Sequence, residues 1–218
     1  MARKFLSEML GTFGLIFTGC GAIVVNDVTG GAIDHLGICT VFGLVVMAMV
    51  YSFGDVSGAH INPAVTIAFW ISGRFPLKEV GPYILAQAIG STAACALLLY
   101  LFPDESTFLG ATLVSGSIMQ SFVLEVAITF LLMLIIIMVA TGSKEVGTLA
   151  GIAIGAAVAV LALVGGPISG ASMNPARSLG PALVSGHMEH IWLYIIAPII
   201  GAALAVPVSN VIKGPQTL

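Results

Sequence analysis

Apolar residues run along this chain in long unbroken blocks, and the blocks have the length of a bilayer crossing. About 20 apolar residues span a hydrocarbon core, and five stretches approach or exceed that measure: Phe5 to Val25, Leu36 to Phe53, Val80 to Phe102, Phe122 to Ala140 and Gly147 to Val164. Ile191 to Ile212 makes a sixth. Helix is the expected conformation of each, because backbone N–H and C=O groups in lipid must be satisfied within their own segment. Met1 to Lys4 followed by an apolar run has the outline of a cleaved leader, but the run is long for one and carries Glu8, so it is read as a retained helix. Two shorter apolar runs start at Asn62 and Asn174 and end near Ile71 and Val184. At the helical rise they cover roughly 15–18 Å, half a membrane.

Charge placement orients these blocks. Arg3 and Lys4, Arg74 and Lys78, Lys144, and Lys213 fall in alternate connections, while Asp27, Asp34, Asp104, Glu105 and Glu189 occupy the others. Lys and Arg in short loops stay on the cytoplasmic face, so the pattern predicts an even number of crossings, both termini cytoplasmic, in a plasma or inner cell membrane. Arg177 is the exception. Composition agrees: 58% of the 218 residues are hydrophobic and 8% charged, with mean hydropathy +1.11, which excludes a soluble enzyme. A net charge of −3 gives no electrostatic basis for binding nucleic acid. Cys20, Cys39 and Cys95 sit inside predicted helices without paired spacing or a His cluster, so they imply packing rather than disulfides or a metal site. No cofactor is expected.

The chain also repeats itself. Glu8-Met-Leu-Gly-Thr12-Phe13 parallels Glu125-Val-Ala-Ile-Thr129-Phe130, Ser57-Gly-Ala-His-Ile-Asn62-Pro63-Ala64 parallels Ser169-Gly-Ala-Ser-Met-Asn174-Pro175-Ala176, and Tyr83 to Gly90 parallels Tyr194 to Gly201. The second and third pairs are offset by 112 and 111 residues. Each unit, approximately 1–110 and 118–213 within one domain 1–218, holds three crossings. An odd number means that the second unit enters from the opposite face, so the units form an inverted repeat. The predicted fold class is an all-α membrane protein with six transmembrane helices plus two half-helices.

Asn is a favoured helix N-cap, and Pro suits the first helical position because its missing N–H would be orphaned there anyway. Each Asn-Pro-Ala therefore starts a half-helix, and inversion brings the two N-termini together at the midplane. Non-helical backbone at that depth must line a cavity or be buried in protein, so Ser57 to Ile61 and Pro167 to Met173 are expected to line a pore. Each helix N-terminus carries about half a positive charge, a barrier to cations. With each side-chain oxygen capping its own helix, the NH₂ groups of Asn62 and Asn174 are free to donate to one passing oxygen atom.

Three ionisable residues lie within apolar segments, where charge is costly and marks function by default. Arg177, in the first turn of the second half-helix, is expected at the outer constriction; the other reading is an Arg that snorkels to headgroups or pairs with an acid. Glu8 and Glu125 are expected to accept hydrogen bonds from the backbone N–H groups of the segments before Asn62 and Asn174; in a proton-coupled transporter they would be relays. Gly11, Gly14, Gly90, Gly151, Gly155 and Gly201 suit close helix packing, Gly151 and Gly155 as a GxxxG pair.

With the doubled Asn-Pro-Ala, Arg177 and the paired Glu in place, the sequence resembles the aquaporins, or major intrinsic proteins, along nearly its whole length. Gly147 to Ala153 and Gly166 to Ala182 are similar to the nodulin-like intrinsic proteins of plants and their bacterial relatives. The resemblance implies a four-residue selectivity filter at Phe42, Ala162, Ala171 and Arg177, a pore-lining His60, and a homotetramer with one pore per subunit. Strict water channels of the family have His at the place of Ala162. An Ala there implies a wider, more apolar constriction that would admit glycerol, urea or undissociated metalloid hydroxy-acids beside water. Ser178 and Ala182, against this, match the water-channel pattern, and Phe42 is large. Asp55 stands where many relatives have His. The function implied is passive passage of water and small neutral solutes, with ions and protons excluded; a water-selective channel, a secondary transporter and a structural membrane protein are the alternatives.

Overall fold

A computed structural model describes residues 1–103, 105–143 and 147–214, so the predicted placements of Asp104 and Lys144 lie outside the described residues. Among the described residues, eight helices can be given bounds: α1 (Ala2–Val28), α2 (Asp34–Ser57), α3 (Pro63–Ile71), α4 (Leu77–Leu101), α5 (Ile118–Ala140), α6 (Ala150–Ser169), α7 (Pro175–Ser185) and α8 (Ile191–Lys213), with a short 3₁₀ turn at Glu105–Gly110. Six of them are long and apolar enough to cross a membrane. The other two, α3 and α7, have 9 and 11 residues. The order long, long, short, long occurs twice, as the internal repeat requires.

The principal packings pair α1 with α4, α5 with α8, and α2 with α6. Each short helix also packs on a long helix of the other half, α3 on α8 and α7 on α4. The halves are thereby interlocked. Small residues set the closest approaches: a Cβ on Gly43 would stand 2.6 Å from the Gly155 carbonyl, and one on Gly155 would stand 2.5 Å from the Gly43 carbonyl. These two glycines are themselves 112 residues apart, so α2 and α6 cross backbone to backbone at equivalent points. Gly151 faces the Tyr51 ring, and the outward sides of the long helices expose Leu85, Val123, Val160 and Leu204.

The basic connections converge as well. Lys4 pairs with Glu79 at 2.9 Å, which joins the N-terminus to the start of α4. Lys213 donates to the carbonyls of Ile137 and Met138 at 3.3 and 3.4 Å and to the Thr141 hydroxyl, where it meets the negative end of α5.

Several boundaries differ from the sequence expectation, and Ser57, expected in the non-helical stretch, is the last residue of α2. The fifth crossing begins at Ala150 rather than Gly147, and it runs through Pro167 to Ser169. The non-helical stretch before Asn174 is therefore Gly170 to Met173, the counterpart of Gly58 to Ile61. Pro167 lies inside the helix, where it removes one hydrogen bond, and the carbonyl so released has another donor: the ring of His35, 2.9 Å from Leu163 O.

Candidate functional site

Each non-helical stretch begins with a left-handed glycine, Gly58 (φ 84°) or Gly170 (φ 77°), which closes the preceding helix. The chain then passes twice more through positive φ without glycine, at Ala59 (46°) and Ile61 (43°) in one half and at Ala171 (45°) and Met173 (52°) in the other. Such conformations persist only where surroundings over-determine them. Here the restraint is a fully buried carboxyl group. Glu8 Oε1 accepts from the Ser57 hydroxyl (2.8 Å) and His60 N–H (2.9 Å), and its Oε2 accepts from Ile61 N–H (2.7 Å) and Gln87 Nε2 (2.8 Å). Glu125 does the same for the other half: Oε1 takes the Ser169 hydroxyl (2.7 Å) and Ser172 N–H (2.8 Å), Oε2 takes Met173 N–H (2.9 Å).

This pattern fixes where the carbonyls point. In a trans peptide N–H and C=O are antiparallel, so the carbonyls of Ala59 and His60 face away from Glu8, and those of Ala171 and Ser172 away from Glu125. All four residues line a single cavity of about 550 Å³. The cavity has a ladder of acceptors on backbone that no helix uses.

Asn62 and Asn174 cap α3 and α7 through their side-chain oxygens, Asn62 to Ala64 N–H at 2.9 Å and Asn174 to Ala176 N–H at 3.0 Å. Pro63 and Pro175 occupy the first helical positions; neither they nor the buried Ala64 and Ala176 line the cavity. The amide NH₂ groups are less free than the sequence implied. Asn62 Nδ2 donates to Met173 O (2.8 Å) and Asn174 Nδ2 to Ile61 O (2.9 Å), so one hydrogen of each clasps the opposing half and one remains. Both asparagines line the cavity. Two helix N-termini thus meet there, linked by reciprocal bonds.

Phe42, Ala162, Ala171 and Arg177 line the same cavity. The Arg177 guanidinium lies over the Phe42 ring, 5.1 Å from its centroid, and is 4% exposed, buried rather than snorkelling. Nη1 donates to Gly110 O at 2.6 Å and approaches Cys20 Sγ at 3.5 Å. Among the described residues no carboxylate forms an ion pair with it. Gly110 has φ +68°, and a Cβ there would crowd Cys20, so glycine lets the loop between the halves press its carbonyl into this place without strain. Gly19 leaves room for the Phe42 ring in the same way.

His60 lines the cavity and is stacked on Phe69 at 4.9 Å, with Phe75 and Tyr83 at its edges. Its Nδ1 lies 3.2 Å from Thr66 Oγ1, which also accepts from Gln87 Nε2 at 3.0 Å. In the second half Ser172 and Ser178 stand at the equivalent places, 2.6 Å apart, and Thr112 donates to Ser178 at 2.8 Å. Asp55, Tyr51 and Thr148 line the far end. Phe42 and Asp55 are separated by about 20 Å along α2 at the helical rise, so the cavity runs most of the way through the helix bundle. No cluster of three metal-ligating side chains exists among the described residues.

Sequence reasoning missed Gly110, Gln87, Thr112 and His35. Gln87 had a signal, a polar residue inside an apolar crossing; the other three reach the site from connections or helix ends.

Six crossing helices around a cavity closed by two half-length helices define a multi-pass helical membrane protein of channel type. Comparison with known sequences gives the lineage. Residues 1–208 match the family described as Major intrinsic protein, and the chain belongs to that family. It is 47% identical over 211 residues to Aquaporin NIP1-1 of Zea mays, covering 97% of this chain and 75% of that protein. Nodulin-26 of Glycine max is 46% identical over 211 residues, with 97% and 78% covered. Among solved structures, the aquaglyceroporin from Plasmodium falciparum superimposes with TM-score 0.85 at 27% identity, over 97% of this chain and 96% of that one.

Proposed function

We infer that this protein is a passive channel for water and small uncharged solutes and not an enzyme. The observation that carries the reading is the pair of capped half-helices, α3 and α7, whose tips share one cavity with a ladder of backbone acceptors on either side. Family membership supports it, as does the likeness to an aquaglyceroporin. A permeating molecule would lose water neighbours and gain, in turn, carbonyls, one free N–H from each of Asn62 and Asn174, and Arg177. Helix N-termini and a fixed guanidinium raise the energy of cations, the means by which pores of this kind exclude ions and protons.

Phe42, Ala162, Ala171 and Arg177 form the constriction in this reading, with His60 on the inner wall. Two alanine methyls and a phenyl ring, with the guanidinium held over that ring, put apolar and donor groups side by side, which suits a polyol or an undissociated hydroxy-acid as well as water. Glu8 and Glu125 serve as structural acceptors, since seven donors already occupy their four oxygens; a relay needs an oxygen open to solvent. The two units, approximately 1–110 and 118–213, act as inverted halves of one domain. Both termini face the cytoplasm of a plasma or inner membrane, on the positive-inside distribution of Arg3, Lys4, Arg74, Lys78 and Lys213. A homotetramer is proposed from the family alone.

Stopped-flow light scattering on proteoliposomes tests the reading. Shrinkage in an impermeant osmolyte should be fast, glycerol or urea should then re-swell the vesicles, and proton leak should not rise. Fast shrinkage without re-swelling would mean a water-selective channel, and saturable uptake driven by an ion gradient would mean a transporter.

A further inference from the structure

Pro167 lies two residues before the end of α6. A helical proline leaves the carbonyl four residues back without its N–H partner, and here that carbonyl is Leu163 O. His35 Nε2 stands 2.9 Å from it. A carbonyl only accepts, so Nε2 carries the hydrogen. Gly166 makes the room, because a Cβ there would strike the His35 ring. Cys39, one turn along α2, supports the ring from below with Sγ 3.7 Å from Nε2. In the first half the position equivalent to Pro167 is Asp55, which has its own N–H, and no such strut is needed.

The place of this bond gives it a consequence for permeation. His35 and Phe42 are seven residues apart on α2, two turns along one face. Leu163 to Pro167 lies within the stretch of backbone between Ala162 and Ala171. We propose that His35 is a positioning residue for the constriction: by supplying the donor that Pro167 removes, it ties the helix bearing Phe42 to the backbone bearing both alanines and so holds the width of the filter. The inference rests on the reading of Phe42, Ala162, Ala171 and Arg177 as the filter.

The test is a suppression experiment in proteoliposomes, read as the ratio of glycerol to water permeability at equal protein content. His35→Ala frees the Leu163 carbonyl and should raise the ratio by roughly two- to tenfold, the scale that one net hydrogen bond sets on an equilibrium. His35→Gln, which keeps a donor of similar reach, should stay near the parent value. The decisive variant is His35→Ala with Pro167→Ala, because residue 167 then donates to Leu163 O itself; the ratio should return to the parent value. A His35→Ala protein with an unchanged ratio overturns the proposal, and so does a raised ratio that Pro167→Ala leaves in place. If His35→Ala does not accumulate, recovery of the folded protein by Pro167→Ala supports the strut and continued absence refutes it. Ala171→Leu serves as the control on the filter: loss of glycerol passage upholds that reading whatever His35 does, while unaltered passage removes it.

Discussion

Replacing Glu125 by glutamine keeps size and shape and removes one acceptor. Oε1 serves two donors, Ser169 and Ser172, and Oε2 serves Met173 N–H. With its one oxygen kept at the Oε1 position, glutamine turns its NH₂ toward Met173 N–H, two donors face each other, and a buried N–H is left unpaired. That costs about 1–3 kcal/mol, or roughly 2–12 °C in melting temperature for a chain of this size. The effect is not confined to stability, because Met173 O holds Asn62 at 2.8 Å and the peptide that moves is next to the one that fixes the opposite cap. Glu125→Gln should therefore melt earlier in detergent and pass water more slowly in stopped-flow assays. Glu125→Ala orphans both N–H groups at about 2–6 kcal/mol, a large share of the roughly 5–15 kcal/mol that holds a typical protein folded, and should accumulate poorly. A glutamine variant that melts and conducts like the parent would refute the acceptor role. Equal damage from glutamine and alanine would also count against it.

Other substitutions probe separate parts of the site. Ala162→His with Ala171→Thr narrows the constriction and adds polar groups; glycerol permeability should fall at least several-fold while water passage persists, and an unchanged glycerol signal would remove the filter assignment. Asn174→Asp puts a full negative charge where two helix N-termini meet, offsetting their partial positive charge, and should open a cation leak measurable as conductance in planar bilayers. Gly155→Ala drives a Cβ to within 2.5 Å of the Gly43 carbonyl; backbone cannot yield as a side chain can, so the thermal transition in detergent should drop clearly, whereas Gly54→Ala, with nothing near its Cβ, should leave it unchanged.

The architecture was legible because it depends on features that sequence carries locally. Block length specifies crossings, Asn followed by Pro specifies a helix start, and a matching offset specifies a repeat; α3 and α7 begin at Pro63 and Pro175 as those rules require. What could not be read were partners supplied across the bundle. Pro167 looked like a helix end because proline's lost hydrogen bond is visible in sequence, whereas the donor that compensates lies 128 residues away. The asparagine amides looked wholly free for the same reason, since nothing local announces Met173 O or Ile61 O as acceptors. Gly110, whose carbonyl holds Arg177, sits in the connection between the halves and belongs to no repeated motif.

A track whose acceptors are peptide carbonyls has an evolutionary property that one made of side chains would lack. No codon change deletes a carbonyl, so Ala59, His60, Ala171 and Ser172 can be exchanged for other residues and still present the same oxygens, provided the two glutamates keep the peptides turned. With the filter placed as proposed, selection on what the channel admits would be concentrated on a few side chains, and preference among solutes could drift while the route for water stays as it was.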